Sequence, residues 1–294
     1  MATLLDVNGL NKYFSGRRKM FGKSASVHVT RNVSFTLDGG ETLGIVGETG
    51  AGKSTVGRQV LRLIEPDSGS VRFHGDEVLS MKAPALRSFR QRAQMIFQDP
   101  FSSLDPHLTI RDAVAEPLTI HRKMSRDERD ERVLDVLQRV GLRQDQLQKY
   151  PKEFSGGQLQ RIAIARALIT DPDFIVCDEP VAALDVSIQA QVLNLLVDLQ
   201  NERGMSYLFI SHDLSLVRFL AHRVAVMYKG EIVELATSDE IFENPQHPYT
   251  KSLISAIPQL RRRNSSRQVD AMSDESDSEP VLGEDLVADK EFSC

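Results

Sequence analysis

The sequence predicts an α/β fold: a mixed sheet with an antiparallel β edge subdomain and an inserted α-helical subdomain. Three observations predict it. The apolar run Thr42-Leu43-Gly44-Ile45-Val46 reads as a short buried strand, enters a glycine-rich turn, and is followed by helical periodicity from Ser54 to Leu63. Two more apolar runs, Phe174 to Cys177 and Ser206 to Ile210, each end in polar residues, as strands do when their carboxyl ends face a ligand. Between Thr3 and Leu37 the alternation has period two, in Leu5-Asp6-Val7, Val27-His28-Val29 and Val33 to Leu37. It is broken by the basic, glycine-bearing loop Gly16 to Ser24, as in a small antiparallel sheet.

The turn after Val46 carries the chemistry. Gly47-Glu48-Thr49-Gly50-Ala51-Gly52-Lys53-Ser54-Thr55 fits G-x-x-x-x-G-K-[ST] at every fixed position. Glycines let a tight loop aim its backbone N–H groups at an anion. Lys53 reaches outer phosphates, the Ser54 hydroxyl suits magnesium, and the phosphates lie at a helix N-terminus. The chain is therefore expected to be a phosphate-loop (P-loop) nucleotide hydrolase fold.

Composition sets the frame. With 294 residues, 41% of them hydrophobic, the chain has room for one large domain or two modest ones with a real core. It holds no run of about 18 uncharged apolar residues, and Met1-Ala2-Thr3-Leu4-Leu5-Asp6 lacks the features of a signal peptide, so a cytoplasmic location is expected. Cys177 and Cys294 offer neither a disulfide framework nor metal-ligand spacing. The net charge of -5 weighs against nucleic acid as a partner, although the acidic tail alone accounts for it.

Taken in order, Tyr13 and Phe14 end the first strand, where an aromatic face suits core packing or an adenine ring. Glu65 to Ser70 is a turn cluster, and Val71 to Gly75 is a strand continuing the first sheet. Met95 to Phe97 is a buried strand that leaves Gln98 just past its carboxyl end, a place for a sensor. From Phe101 to Pro151 the periodicity becomes helical. Ser125 and Glu128 form a capping box, Val133, Val136, Leu137 and Val140 share a face, and Gly141 ends the helix. The charge run Arg126 to Arg132 reads as a solvated face with i,i+4 pairs.

Ser155-Gly156-Gly157-Gln158 opens a second marked helix, Leu159 to Leu168, whose capped start is also an anion site. Phe174 to Cys177 then runs into Asp178 and Glu179. After such a strand in a phosphate-loop protein, the first acid holds magnesium with Ser54 and the second activates the attacking water. Leu184-Asp185 leads into a helix, Ile188 to Leu199. Ser206 to Ile210 delivers Ser211-His212-Asp213 to the same edge, where His212 is a functional candidate. Arg223 to Tyr228 and Glu231 to Leu235 form a hairpin, and Asp239 to Asn244 begins a terminal helical region. From Arg261 to Cys294, serine and acidic residues replace apolar ones, which reads as a disordered acidic tail.

Gly47 to Thr55, Gln98, Ser155 to Gln158, Asp178-Glu179, Leu184-Asp185 and His212, in that order, resemble the ATP-binding cassette (ABC) ATPases. The resemblance implies a head-to-tail dimer in which the phosphate loop of one subunit holds ATP and Mg2+ and the Ser155-Gly156-Gly157-Gln158 start of the other, with Asp185, completes the site. It implies that Lys53 and Ser54 bind phosphates and magnesium, and that Gln98 senses the γ-phosphate and the transporter and contributes at the metal. Asp178 supports the metal, Glu179 is the general base, His212 contacts the γ-phosphate, and Phe14, before Tyr13, stacks on adenine. Phe97-Gln98-Asp99-Pro100-Phe101-Ser102-Ser103-Leu104-Asp105-Pro106 and Asn244-Pro245-Gln246-His247-Pro248-Tyr249-Thr250-Lys251 further resemble the ATPase subunits of oligopeptide and dipeptide importers. Those subunits work in pairs at the cytoplasmic face of the inner membrane, under two transmembrane permease subunits fed by an extracytoplasmic solute-binding protein. The ABC ATPase domain is expected over residues 1–258, with the helical insertion at about 101–170 and the importer-type segment at about 236–258. The acidic stretch after Arg263 matches nothing in the family pattern. The same motor would serve an exporter. A nucleic-acid or ribosome-acting cassette would show two cassettes or a coiled-coil insertion, and neither is present.

Overall fold

The computed structural model describes residues 2–15, 26–121 and 124–256. The basic loop read at Gly16 to Ser24 and the acidic tail from Arg261 lie outside them. Residues Met1–Pro258 form one unit, and the elements below belong to it. In chain order they are β1 (Thr3–Ser15), β2 (Ser26–Asp38), β3 (Thr42–Val46), α1 (Lys53–Val60), β4 (Ser68–Phe73), β5 (Asp76–Glu77), α2 (Ala83–Arg92), β6 (Ala93–Ile96), α3 (Pro100–Ser103) and α4 (Ile110–His121). There follow α5 (Arg126–Arg139), α6 (Gly156–Leu168), β7 (Phe174–Asp178), α7 (Val186–Arg203), β8 (Ser206–Ser211), α8 (Leu214–Leu220), β9 (Arg223–Tyr228), β10 (Glu231–Thr237), α9 (Ser238–Glu243) and α10 (Pro248–Ser255).

Two sheets carry the fold. The first, ordered β2-β1-β4-β5, is antiparallel throughout, as the alternation in the first 37 residues and at Val71 to Gly75 predicts. The second is ordered β10-β9-β3-β8-β7-β6, with β9, β3, β8, β7 and β6 parallel and β10 antiparallel to β9. Parallel pairing has a functional consequence: the segments after Val46, Ser211, Asp178 and Ile96 all leave from one edge.

Both faces of this parallel sheet are buried, which is why β7 and β8 read as unbroken apolar runs. Phe174, Val176, Leu208 and Ile210 join the core beneath the antiparallel sheet and α1. Ile175, Cys177, Tyr207 and Phe209 join the opposite core with α6, α7 and α8. Each such fully buried large side chain contributes about 1.5–3 kcal/mol relative to exposure. Helix α1 lies very close to the sheet: a Cβ at Gly57 would meet Val176 Cγ1 at 2.8 Å and Ile210 Cδ1 at 2.9 Å.

Several boundaries differ from the sequence reading. Helix α1 stops at Val60 and not Leu63, because Arg62 adopts a left-handed φ of 50° and turns the chain toward β4. Strand β6 starts at Ala93 and lies at the sheet edge, so Met95 and Phe97 are only half-buried. Helices α2 and α8 have no counterpart in the sequence reading. The one buried side chain of α2 is Phe89, too few for a periodic stripe, and α8 spans only 7 residues. The Ser125–Glu128 capping box is present, and Gly141 follows α5 with φ 78°. The charge run on α5 does not pair along its own helix. Asp130 takes Arg111 of α4, with Arg111 Nε donating at 2.8 Å, and Arg132 pairs with Asp171 beyond α6. These ions tie the helical insertion together.

Gly57→Val forces a branched side chain into the α1–sheet contact and is expected to destabilise the fold by about 1–3 kcal/mol. Urea unfolding checks this; an unchanged midpoint contradicts the close approach.

Candidate nucleotide-binding site

The phosphate loop is shaped from outside as well as by its own glycines. At Gly47, with φ 151°, a Cβ would lie 2.1 Å from the Met227 carbonyl oxygen, and at Gly52, with φ 101°, 2.5 Å from that of Val29. Neither position admits a side chain. Helix α1 starts at Lys53 with no side-chain cap and no acidic residue in its first turn, so its first N–H groups are left for an anion. Lys53 is buried, and its Nζ donates to the carbonyls of Gly47 at 2.8 Å and Glu48 at 2.9 Å. Thr49 and Gly50 stand exposed at the tip, while Ala51 is buried and Thr55 is half-buried.

The two acids follow at the end of β7. Asp178 is buried; it accepts from Ser54 Oγ at 2.7 Å and faces the Arg58 guanidinium at 4.0 Å. Glu179 has a left-handed backbone, φ 47°, and its N–H donates to the Ile210 carbonyl at 2.9 Å. Its carboxylate accepts from Gln98 Nε2 at 2.9 Å on one oxygen and meets His212 Nδ1 at 3.2 Å on the other. Gln98 follows β6 and His212 follows β8, so the parallel order delivers both to Glu179 from opposite sides of β7.

Burial works against both charges at this site. Burial pushes the Asp178 carboxyl above the ordinary carboxylate range; the Ser54 hydrogen bond, Arg58 and Lys53 oppose this, and Glu179 adds to it. Burial pulls Lys53 below the usual lysine range, with Glu179 and then Asp178 pulling it back. Both charged forms are less favourable here than in an unfolded chain, as expected where a site is shaped around an external counter-charge.

Other residues singled out in the sequence make no hydrogen bond to this cluster among the described residues, although Gly156 lines one cavity with Gln98. Ser155 and Gln158 cap α6 reciprocally: Gln158 N–H donates to Ser155 Oγ at 3.4 Å, and Ser155 N–H to Gln158 Oε1 at 3.0 Å. A Cβ at Gly156 would meet open space, whereas one at Gly157 would meet Ile188 Cγ2 of α7 at 2.7 Å. Asp185 precedes α7 and accepts through its carbonyl from the N–H groups of Ile188 and Gln189, both at 2.9 Å. Tyr13 stacks on His28, ring centroids 4.0 Å apart, while Phe14 is exposed with the Lys12 ammonium 5.7 Å from its centroid. Sequence reasoning missed Arg58, although its place four residues after Ser54 on α1 puts it on the same face.

The chain is similar to known proteins over most of its length. The family profile described as ABC transporter matches residues 30–182, more than half of the chain. The chain belongs to the ATP-binding subunits of ABC transporters. A second profile, the C-terminal region of oligopeptide/dipeptide transporters, matches residues 233–279. It runs past Arg263 into the acidic stretch, where the sequence reading found no counterpart. The oligopeptide transport ATP-binding protein OppF of Bacillus subtilis is 51% identical over 257 residues, covering 87% of this chain and 82% of that protein. The dipeptide transport ATP-binding protein DppF of Haemophilus influenzae is 49% identical, covering 87% and 79% respectively. Among solved structures, the dimeric post-hydrolysis state of the ATP-binding cassette MJ0796, bound to ADP and Pi, is 29% identical with a TM-score of 0.71 and covers 80% of this chain and 99% of that one. The chain is thus an ABC ATPase that binds ATP, the subunit of a transporter that works with permease components. Among the described residues no helix is long and apolar enough to cross a membrane.

Because the Asp178 pKa is higher folded than unfolded, protonation favours the fold; that contribution is full below the unfolded value and is lost as pH rises through the folded one. Asp178→Asn stays neutral throughout, so without nucleotide it is expected to melt above wild type at about pH 7, the gap closing on acidification. Calorimetry across this range checks the sign, and a gap that widens at low pH contradicts it.

Proposed function

We propose that this chain hydrolyses ATP to ADP and phosphate at a site shared between two ABC ATPase subunits, and that it drives uptake of oligopeptides, dipeptides or a similar small solute. The observation that carries the hydrolytic part is the Glu179 carboxylate, held between Gln98 and His212 beside the Lys53 and Ser54 loop. Glu179 accepts a proton from the water that attacks the γ-phosphorus in line, while the β-phosphate leaves as part of ADP. Lys53 and the open N–H groups of Gly47 to Thr55 bind the phosphates. His212 contacts the γ-phosphate, and Phe14 takes the adenine, since one face of Tyr13 is already occupied by His28.

The Ser54–Asp178 pair fits a divalent cation: a hydroxyl and a buried carboxylate 2.7 Å apart are the hard oxygen donors that Mg2+ takes. Gln98 would join them from its exposed loop. The cation supplies charge neutralisation to the terminal phosphates.

The start of α6, with Gly156 in open space, and Asp185 face the nucleotide of a second subunit. Their hydrogen bonds are internal to their own helix starts, which supports a role across a dimer. The permeases dock by the loop after Gln98. There a cavity of about 330 Å³ is lined by Gln98, Pro100, exposed Phe101, Leu184 and Gln160, whose buried Nε2 has no partner among the described residues. The location that follows is the cytoplasmic face of the inner membrane, with an extracytoplasmic binding protein upstream and no nucleic acid involved. The match over residues 233–279 supports import over export. The ATPase domain then spans residues 1–258, and the importer-type match continues beyond it to residue 279.

Glu179→Gln is expected to lower turnover at least ~10²-fold with ATP binding intact; unchanged steady-state hydrolysis removes Glu179 from its role. Lys53→Ala is expected to weaken ATP binding in calorimetry, and an unaltered affinity contradicts its place in the loop. Co-purification from solubilised membranes identifies the permeases and the second ATPase.

A further inference from the structure

The C-terminal segment grips the phosphate loop. The Met227 carbonyl sits against Gly47, and Gly230 N–H, in the turn between β9 and β10, donates to the Ala51 carbonyl at 3.1 Å. A third contact comes from further along the chain. Tyr249, in the first turn of α10, accepts the N–H of Glu48 on its hydroxyl oxygen at 3.1 Å.

That N–H belongs to the peptide group whose carbonyl, on Gly47, receives the Lys53 ammonium at 2.8 Å. A trans peptide is planar, its N–H and C=O pointing in opposite directions, so fixing one fixes the other. Rotation of this plane is governed by ψ of Gly47 and φ of Glu48, and glycine leaves it unusually free. Tyr249 therefore holds the N–H end of the peptide whose carbonyl end Lys53 holds from within the loop.

Tyr249 is itself well anchored. Its ring packs on Tyr228 at the end of β9, centroids 4.2 Å apart. The start of α10 is clamped by Glu234 of β10, whose two carboxylate oxygens accept the N–H groups of Gln246 at 2.7 Å and His247 at 2.9 Å. His247 caps the helix by accepting Tyr249 N–H on Nδ1 at 3.2 Å.

We infer that Tyr249 is a positioning residue for nucleotide binding: clamped by Glu234, its hydroxyl orients the Gly47–Glu48 peptide and so sets where the Lys53 ammonium waits for the outer phosphates. The inference rests on the reading of the loop as an ATP site. It makes the segment that sets this subfamily apart part of the nucleotide site.

The test measures binding of MgATP and of AMP, which lacks the outer phosphates, to the full chain, with melting temperatures on the same samples. Tyr249→Phe keeps the ring and removes the acceptor. It is expected to weaken MgATP about three- to tenfold, the range one neutral hydrogen bond spans, and to leave AMP unchanged. Glu234→Ala, acting through the same tyrosine, should weaken MgATP similarly, and the double variant should be no weaker than the worse single one. Unchanged MgATP affinity in Tyr249→Phe, equal losses for MgATP and AMP, or additive losses in the double variant would overturn the inference. A wild-type chain that binds no MgATP would instead overturn the underlying assignment of the site.

Discussion

Burial of the Lys53 ammonium is the constraint on which the rest of the site depends. An ammonium removed from water costs several kcal/mol unless its protons find acceptors and its charge a partner. Gly47 and Glu48 supply two carbonyls, and Asp178 and Glu179 supply opposite charge. The carbonyls require a loop that doubles back on its own lysine. The carboxylates require that β7, more than 120 residues later in sequence, lie one strand away from β8 and two from β3. The sheet order is thus coupled to the chemistry of one side chain.

The parts of the fold legible in the sequence are those whose signals are local. A strand buried on both faces must be apolar at every position, so β3, β7 and β8 stand out. A capping box lies within four residues, so Ser125 and Ser155 mark their helices. The phosphate loop announces itself because its glycines, lysine and serine act within one turn. What stayed hidden depends on distant partners or weak stripes. Helix α2 buries Phe89 alone; Arg132 finds Asp171 39 residues away; Tyr249 finds Glu48 201 residues away. The segment Asn244 to Lys251 contains Tyr249, but no periodicity or spacing connects that tyrosine with the loop.

The site also contains stored backbone strain in a telling place. Glu179 is neither glycine nor asparagine, yet it holds φ 47°, a conformation that costs of order 1–3 kcal/mol when the surroundings impose it. Its N–H makes the last bond of the parallel β7–β8 ladder, to Ile210, so the left-handed turn falls just where the strand ends. The strain turns the carboxylate out of the line of β7 and toward Gln98 and His212, while Asp178, one residue earlier, stays buried against Ser54. Adjacent acids of the same charge are thereby given different surroundings, one buried and bonded to the loop, the other presented at the edge.

The two grips on Glu179 come from different parts of the chain, Gln98 from the approach to the helical insertion and His212 from the start of α8. Each holds a separate oxygen. Displacing either arm alone leaves the carboxylate tethered by the other, so its full release is a logical conjunction, with one input from each arm. The carboxylate is free to turn only when both contacts are gone.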